Sequence, residues 1–265
     1  MESPVVMGII NLTDDSFYSG SRANDLKTAE EKIVKMLNDG ADIIDIGAMS
    51  SRPGSKIISP EIEWNKLKPV LQIIKTKYNN RIFSLDTVHS EIAKIAVHDF
   101  GIDIINDISS GTIDDNMFNT IAELKVPYII MHMRGQPENM QNFTEYNSLI
   151  TDITYFFSEK VSKLNALGVN DIILDPGFGF SKTIEQNYIL LNNLDKFSIF
   201  GLPILAGLSR KSMIWKTLGT SPELSLNGTT ALNMIALNKS ANIIRVHDVK
   251  EAREVVTIYK SLMKN

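Results

Sequence analysis

Several features that are common in enzymes are missing from this 265-residue sequence, and each absence excludes a kind of chemistry. There is no cysteine, which excludes disulfides, thiolate nucleophiles and cysteine-ligated zinc or iron–sulfur sites. Only four histidines are present, so catalysis by histidine has few candidates. No apolar run approaches the roughly 20 residues of a membrane helix. Residues 1–4 lack the pattern of a signal peptide, and we expect a cytoplasmic protein that does not associate with membranes.

The charge balance is slightly acidic, with 27 lysine and arginine residues against 31 aspartate and glutamate residues and a net charge of −4. Proteins that bind nucleic acids are usually basic, so we expect no nucleic-acid partner. Net charge does not describe a single site, so it does not exclude a local basic pocket.

Eight short apolar runs rich in β-branched residues recur along the chain. They lie at residues 5–10, 43–46, 81–85, 102–105, 128–131, 172–174, 203–206 and 243–246. Each is too short for a helix and almost continuously apolar, which is typical of parallel strands buried on both faces. Amphipathic stretches that predict helices separate many of them, at residues 29–38, 62–78, 91–99, 150–167, 226–237 and 249–263.

The alternation of strands and helices predicts an α/β protein with a parallel sheet. A doubly wound sheet is the other arrangement, but no GxGxxG motif follows the first strand. No linker or low-complexity tract interrupts the chain. We therefore predict a single (β/α)8 barrel of the TIM type that forms one domain over residues 1–265.

Polar residues follow almost every predicted strand, and in a barrel these carboxyl ends meet at one rim. They are Asn11, Asp86, Asn106, Asp107, His132, Asp175, residues 209–212, Arg245 and His247. An isolated aspartate after a strand is more often a turn former or a helix cap than a ligand. Convergence of the whole set at one mouth favours a functional site.

The residue types in this set favour binding and electrostatic stabilisation over covalent catalysis. Asp86, Asn106 and Asp175 match a flat heterocycle that carries N–H donors. Arg245 can stack on such a ring or clamp an anion. Arg52, Arg245, His247 and Asn11 are candidates for holding a diphosphate, and Arg52, Lys211, Arg245 and His247 form a small cationic rim. The segments at residues 13–21 and 48–55 suit a lid that closes over substrate.

Taken in order, the motifs resemble those of the dihydropteroate synthases. They are residues 7–17 (MGIINLTDDSF), 40–47 (GADIIDIG), 50–54 (SSRPG), 84–87 (SLDT), 105–109 (INDIS), 131–135 (MHMRG), 175–180 (DPGFGF), 207–212 (GLSRKS) and 245–249 (RVHDV). The matches run from the first predicted strand to the last and cover essentially the whole chain.

The resemblance implies a transferase that joins 6-hydroxymethyl-7,8-dihydropterin diphosphate to 4-aminobenzoate in folate biosynthesis and releases diphosphate. It implies a pterin subsite of Asp86, Asn106, Asp175, Lys211 and Arg245. It also implies a diphosphate subsite of Asn11, Arg52, Arg245 and His247, with Mg²⁺ on Asn11 as the cofactor. The implied 4-aminobenzoate subsite consists of Phe17, Ser51, Arg52, Pro53, Phe180, Lys211 and Ser212. A homodimer and inhibition by sulfonamides are further implications.

The implied reaction resembles an SN1 substitution in which diphosphate leaves before the amine attacks. Arg245 and His247 would stabilise the leaving group, and Asp86 would stabilise the pterin cation. Arg52, Lys211, Arg245, His247 and Asp86 are thus the residues implied to act in catalysis. The 4-aminobenzoate carboxylate would lie at Ser212, near the amino end of the helix after the seventh strand.

The sequence departs from the family pattern at Asp14, Ser19, Met49, Ser51 and Trp215. The family usually has proline where Asp14 stands, an acidic residue where Ser19 stands and glutamate where Met49 stands. It usually has threonine in place of Ser51 and glycine in place of Trp215.

Two other functions stay open. A related pterin-binding methyltransferase would share pterin contacts such as Asp86, Asn106 and Asp175, and a pterin-binding protein without catalysis is supported by the changes at Asp14, Ser19 and Met49. The first needs neither a diphosphate site nor the Ser-Arg-Lys-Ser segment, and the second predicts binding without turnover.

Overall fold

Eight short parallel strands form the centre of the molecule. The computed structural model describes residues 3–12, 22–50 and 52–264. The strands in this part of the chain are β1 (Val5–Asn11), β2 (Ile43–Gly47), β3 (Ile82–Asp86), β4 (Ile104–Asp107), β5 (Tyr128–Met131), β6 (Ile172–Asp175), β7 (Leu205–Ala206) and β8 (Ile243–Val246). The helices are α1 (Arg22–Asn38), α2 (Pro60–Lys77), α3 (Ser90–Phe100), α4 (Met117–Leu124), α5 (Leu149–Ala166), α6 (Ile184–Asn192), α7 (Ser212–Thr217), α8 (Leu226–Asn238) and α9 (Val249–Met263).

The strands follow one another around a nearly closed barrel. Their order is β6-β5-β4-β3-β2-β1-β8-β7, and every pairing is parallel. A single bridge between Leu174 and Ile204 connects the two ends of this series, and the Leu174 N–H donates to the Pro203 carbonyl at 2.9 Å. The predicted (β/α)8 barrel is therefore confirmed.

Local sequence signals explain where several helices begin and end. The Ser59 hydroxyl accepts a hydrogen bond from the Ile62 N–H, and Pro60 occupies the first position of α2, where its missing N–H costs nothing. Thr183 and Gln186 cap α6 reciprocally. Gly101 ends α3 with φ of 73°, a conformation that favours glycine. These ends set each strand–helix unit in place around the barrel.

The barrel interior is filled in layers, because alternate residues of each strand point inward. We name the lower one the apolar layer; it consists of Met7, Ile43, Ile104, Ile129, Ile173, Leu205 and Ile243. These side chains are at most 7% exposed and pack in a cluster separate from the one between strands and helices. Full burial of each side chain stabilises the fold by about 1.5–3 kcal/mol.

All eight predicted strands are present, with different bounds at several of them. β3 lies one residue and β4 two residues later than predicted, and β7 contains only two residues. The short helices α4 and α6 were not predicted, and α1 begins seven residues before the predicted start. Among the residues described, no helix has both the length and the apolar character needed to span a membrane.

Candidate active site

On β2, β4, β6 and β8, the inward position two residues beyond the apolar layer is polar, and Asp86 at the end of β3 joins them. We name this the polar layer; it consists of Asp45, Asp86, Asn106, Asp175 and Arg245. Arg245 on β8 pairs with two carboxylates: its Nη2 lies 2.6 Å from Asp45 Oδ2 and 2.9 Å from Asp86 Oδ2. Its Nε donates to Asp45 at 2.7 Å, and Asn106 Nδ2 donates to the same oxygen at 3.0 Å. Residues from four strands therefore meet around one guanidinium.

Burial dominates the electrostatics of the polar layer. It raises the pKa of Asp86 to about 7, although the Arg245 charge opposes this effect. Burial also raises the pKa of Asp175, while the Gly177 N–H and the charges of Lys211 and Arg245 lower it. A bound cation or N–H donor would favour the charged form of both carboxyls. The layer is thus suited to a ligand that brings donors or positive charge.

The loop after β6 forms one wall beside this layer. Asp175 Oδ1 accepts from the Gly177 N–H at 2.8 Å, which leaves Oδ2 available for a ligand. The Nζ of Lys211 lies 4.3 Å from the centroid of the Phe180 ring. Burial lowers the pKa of Lys211 to about 8, and the Asp175 charge counteracts this effect. The predicted residues Asp175, Phe180 and Lys211 are therefore neighbours at the site.

Lys182, which the sequence reasoning did not single out, supports the same loop from below. This buried amine donates to the carbonyls of Gly177 and Phe180 at 2.9 and 3.0 Å. It also lies 3.0 Å from Nδ1 of His132, a buried residue whose pKa is lowered by burial and by Lys182. His132 thus points to this support and not to the polar layer. Burial lowers the pKa of Lys182 to about 7.

His247 lies at the rim, beyond β8, and is exposed on one side. Its Nδ1 is 3.1 Å from the Ser209 hydroxyl. The surrounding protein and the Arg245 charge lower its pKa to about 4. Because the ordinary value is near 6.5, any lowering leaves the ring mostly neutral at pH 7. The low pKa favours the neutral ring, which can still donate or accept a hydrogen bond through Nε2, and the place of His247 in the cationic rim stays a prediction.

Asn11 is half-buried at the end of β1, beside Gly47 of β2. Within the described ranges, no group of three or more histidine, aspartate or glutamate side chains is arranged to hold a metal ion. A single amide oxygen fits Mg²⁺ only when phosphate oxygens and water complete the coordination. Asn11 therefore fits a metal that arrives with a phosphate ligand.

Several predicted residues lie away from the polar layer. Arg52 and Pro53 are exposed. The pKa of Glu223 is lowered first by a hydrogen bond with Ser221 and also by the charges of Arg210 and Arg52. Ser212 is the first residue of α7, which contains only six residues. Phe17 and Ser51 lie outside the described residues, as do Asp14, Ser19 and nearly all of the first predicted lid segment.

Met49 stands where the resemblance led us to expect glutamate, and its surroundings are apolar. It is 7% exposed and belongs to a cluster with Val88, Ile108, Met131, Met140 and Phe180. A carboxylate at this position would lose its hydration without an evident partner in the cluster. Met49 is therefore matched to its neighbours in this chain.

The structure gives two aspartates roles that the sequence did not predict: Asp107 was a candidate site residue, and Asp45 was not singled out. Asp107 points away from the barrel interior and accepts from Ser109, Gly111 and the Tyr128 hydroxyl, which makes it a structural residue. Asp45, by contrast, is fully buried and central to the polar layer. Its signal in the sequence is a charged residue inside the apolar run of residues 43–46, since buried carboxylates are rarely without a partner.

The barrel and its buried polar mouth define a (β/α)8-barrel enzyme with its ligand pocket at the carboxyl ends of the strands. Residues 7–247 match the family of pterin binding enzymes. The chain is 40% identical over 262 residues to the dihydropteroate synthase of Synechocystis sp., covering 98% of this chain and 90% of the relative. It is 38% identical over 269 residues to the Escherichia coli dihydropteroate synthase, covering 99% and 93%.

Solved structures give the same result. The Yersinia pestis dihydropteroate synthase, in a sulfonamide drug complex, superposes with a TM-score of 0.93 at 38% identity, over 100% of this chain and 96% of that one. The chain belongs to the dihydropteroate synthases within the pterin-binding enzymes, which are transferases of folate biosynthesis.

Proposed function

We propose that the chain condenses 6-hydroxymethyl-7,8-dihydropterin diphosphate with 4-aminobenzoate to give 7,8-dihydropteroate and diphosphate. The observation that carries this proposal is the polar layer. There Arg245 donates directly to Asp86, and it is connected to Asn106 through Asp45, which accepts from both. This arrangement supports recognition of a flat ring with several N–H donors, because the acceptors are fixed before the ligand arrives. The proposal treats residues 1–265 as one domain.

The pterin subsite consists of Asp86, Asn106, Asp175, Lys211 and Arg245. The free oxygen of Asp175 accepts from the amino and ring N–H groups, and Lys211 donates to the ring carbonyl. Arg245 stacks against one ring face while its Nε and Nη2 stay paired with Asp45. Asp45 acts through Arg245 and Asn106, since both donate to it.

The diphosphate subsite consists of Asn11, Arg52, Arg245 and His247. Arg245 and His247 donate to the phosphate oxygens, and Arg52 adds positive charge from the exposed side. Asn11 would hold Mg²⁺ together with those oxygens. When bound, Mg²⁺ supplies positive charge that stabilises the leaving group.

Bond breaking precedes bond making in the proposed reaction. The C–O bond between the pterin methylene and the diphosphate breaks, and the electron pair leaves with the diphosphate. Asp86 then stabilises the pterin cation, and this positive charge favours the ionised form of its carboxyl. The uncharged amine of 4-aminobenzoate attacks the methylene carbon and afterwards loses a proton to solvent.

The 4-aminobenzoate subsite comprises Phe17, Ser51, Arg52, Pro53, Phe180, Lys211 and Ser212. Contact between Phe180 and Lys211 supports a wall that is apolar on one side and cationic at its edge. The carboxylate of 4-aminobenzoate lies towards Ser212 and Arg52. Sulfonamides occupy the same subsite, as expected for mimics of this substrate.

The chain is also proposed to act as a homodimer in the cytoplasm. Exposed apolar side chains on α8 and α9, among them Ile235, Ile258 and Leu262, support a contact between two copies. Sedimentation velocity tests this part, and a monomer at micromolar concentration contradicts it.

The function is tested with purified chain, both substrates and Mg²⁺. We expect diphosphate release that depends on 4-aminobenzoate and yields dihydropteroate. Binding of the pterin diphosphate without product would instead identify a pterin-binding protein without catalysis. Absence of both binding and product would overturn the proposal.

A further inference from the structure

The loops after β7 and β8 are joined by two adjacent pairs of side chains. In the first, the Ser209 hydroxyl lies 3.1 Å from His247 Nδ1 and accepts from the His247 N–H at 3.2 Å. In the second, Arg210 Nε and Nη2 donate to the two oxygens of Asp248 at 2.9 and 2.7 Å. This fork-to-fork pair is among the strongest hydrogen-bonded ion pairs in proteins, and it fixes orientation as well as distance.

Arg210 also holds a third segment. Its Nη1 donates to the carbonyls of Pro222 and Glu223 at 3.4 and 3.3 Å, and its backbone N–H donates to the Thr229 hydroxyl at 3.1 Å. Its φ of 56° lies in the left-handed region, which costs a non-glycine residue energy unless its surroundings hold it there. The chain direction at Lys211, the next residue, therefore depends on these contacts.

The backbone pairing of β7 with β8 does not fix the relative position of the two loops. β7 pairs with β8 only at Leu205 and Ala206, and the pairing stops three residues before Ser209. Elsewhere, β1, β2 and β3 pair over five residues, up to the polar ends that face the site. The two loops that carry Lys211 and His247 thus leave a strand pairing of only two residues, shorter than every other pairing except the single bridge between Leu174 and Ile204.

We propose that Arg210 and Asp248 are positioning residues, which set Lys211 on one loop against His247 on the other without touching substrate. Each member of the pair is the sequence neighbour of a residue assigned to a substrate subsite. The inference rests on the proposed function, because it assigns the pterin to Lys211 and the diphosphate to His247. The pair thereby holds the ring and its leaving group at the spacing that the reaction needs.

The test uses Arg210→Gln, Asp248→Asn and the double variant in the full chain. We expect each single variant to lower kcat by about 10- to 100-fold, since misplacement by about 1 Å has effects of this size. The double variant should be no worse than the more affected single one, because both remove the same pair. Arg210→Lys keeps the charge but not the fork, and we expect it to recover only part of kcat.

Arg253→Gln is the matched control at the opposite end of the barrel. Arg253 donates to the Gly40 carbonyl and lies 2.5 Å from Asp42, with an exposed fraction of 27% against 28% for Arg210. It joins α9 to the segment before β2, far from the substrate subsites. We expect its kcat and both KM values to stay within about 2-fold of wild type, with a similar loss in thermal stability.

The outcomes separate the two proposals. Folded Arg210→Gln and Asp248→Asn variants with wild-type kcat would overturn the positioning role and leave the proposed function intact. Equal losses of kcat in these variants and in Arg253→Gln would also overturn it, since the role would then be general stability. Wild-type protein that neither binds 6-hydroxymethyl-7,8-dihydropterin diphosphate in calorimetry nor turns it over would overturn both.

Discussion

On β2, β4, β6 and β8, the apolar layer and the polar layer lie two residues apart. Ile43 and Asp45 are on β2, Ile173 and Asp175 on β6, and all four are inward and buried. The lower positions gain stability from burial, whereas the upper ones lose hydration and must recover it from one another. Arg245, two residues after Ile243, does most of this by pairing with Asp45 and Asp86.

The difference teaches how this barrel separates folding from binding. The apolar layer is complete without a ligand, because its side chains need only each other. The polar layer contains two carboxyls, Asp86 and Asp175, whose pKa values are raised by burial. Such groups are characteristic of sites prepared for substrate. The following substitutions test this separation.

Arg245→Met should have the largest effect, because it leaves Asp45 and Asp86 buried without their cation. We expect the free energy of unfolding to fall by about 3–5 kcal/mol and activity to be lost. The loss should be larger at pH 8 than at pH 6, since protonation of Asp86 relieves the uncompensated charge. Urea unfolding at both pH values measures this. Arg253→Gln, expected to cost at most about 1 kcal/mol, is the control; equal costs would contradict the central role of Arg245.

Asp175→Asn should affect binding more than folding. It places an amide donor where the pterin presents donors, and we expect about 2–4 kcal/mol of binding free energy to be lost. Calorimetry with the pterin diphosphate should therefore show a Kd raised by about 30- to 800-fold. Asp171→Asn, an exposed change just before the same strand, is the matched control and should leave Kd unchanged. A normal Kd in Asp175→Asn would remove this residue from the pterin subsite.

Glu63→Gln examines a buried carboxyl that lacks an arginine. Glu63 on α2 is fully buried, 3.6 Å from His89, and burial raises its pKa to about 8. Because the folded pKa lies above the unfolded one, Glu63 stabilises the fold at low pH and this contribution declines as pH rises towards 8. Wild type should lose up to about 1.4 kcal/mol per pH unit more than Glu63→Gln between pH 5 and 8. Parallel stability curves for the two proteins would show that Glu63 titrates normally.

Ile129→Val tests the apolar layer and should have the smallest effect. Removing one methyl group from this fully buried side chain should cost about 0.5–1.5 kcal/mol of unfolding free energy. We expect kcat and both KM values to remain at the wild-type level, because the polar layer lies above it. Urea unfolding and steady-state kinetics on the same preparation measure both. Changed kinetics at unchanged stability would show that the two layers are coupled.

Much of the fold was predictable because its signals are local. The eight apolar runs correspond to β1–β8, and the long amphipathic stretches correspond to α1, α2, α3, α5, α8 and α9. The short helices α4 and α6 were not predicted, since their eight and nine residues span fewer than three turns. The two-residue length of β7 was also unpredictable, because the length of a strand depends on how many residues form backbone hydrogen bonds with the adjacent strands.

The site was predictable as a set of strand ends but not as a set of contacts. Asp86, Asn106, Asp175 and Arg245 meet as expected. Asp107 and His132 have the same position after a strand, yet both turn to structural partners. A position at a strand end places a residue at the rim of the barrel. Whether its side chain points inward or outward depends on the strand register, because a shift of one residue reverses this direction.

The sequence by itself determined the barrel, its apolar strands and the polar residues at their carboxyl ends, because these follow from periodicity and residue type. It also determined the absence of thiol chemistry, since no cysteine is present. Only the tertiary structure decided that Asp45 and Arg245, 200 residues apart, share a hydrogen bond, and that Arg210 and Asp248 join two loops. Such pairs form only when the closed barrel brings distant parts of the chain together, and no local sequence pattern contains this information.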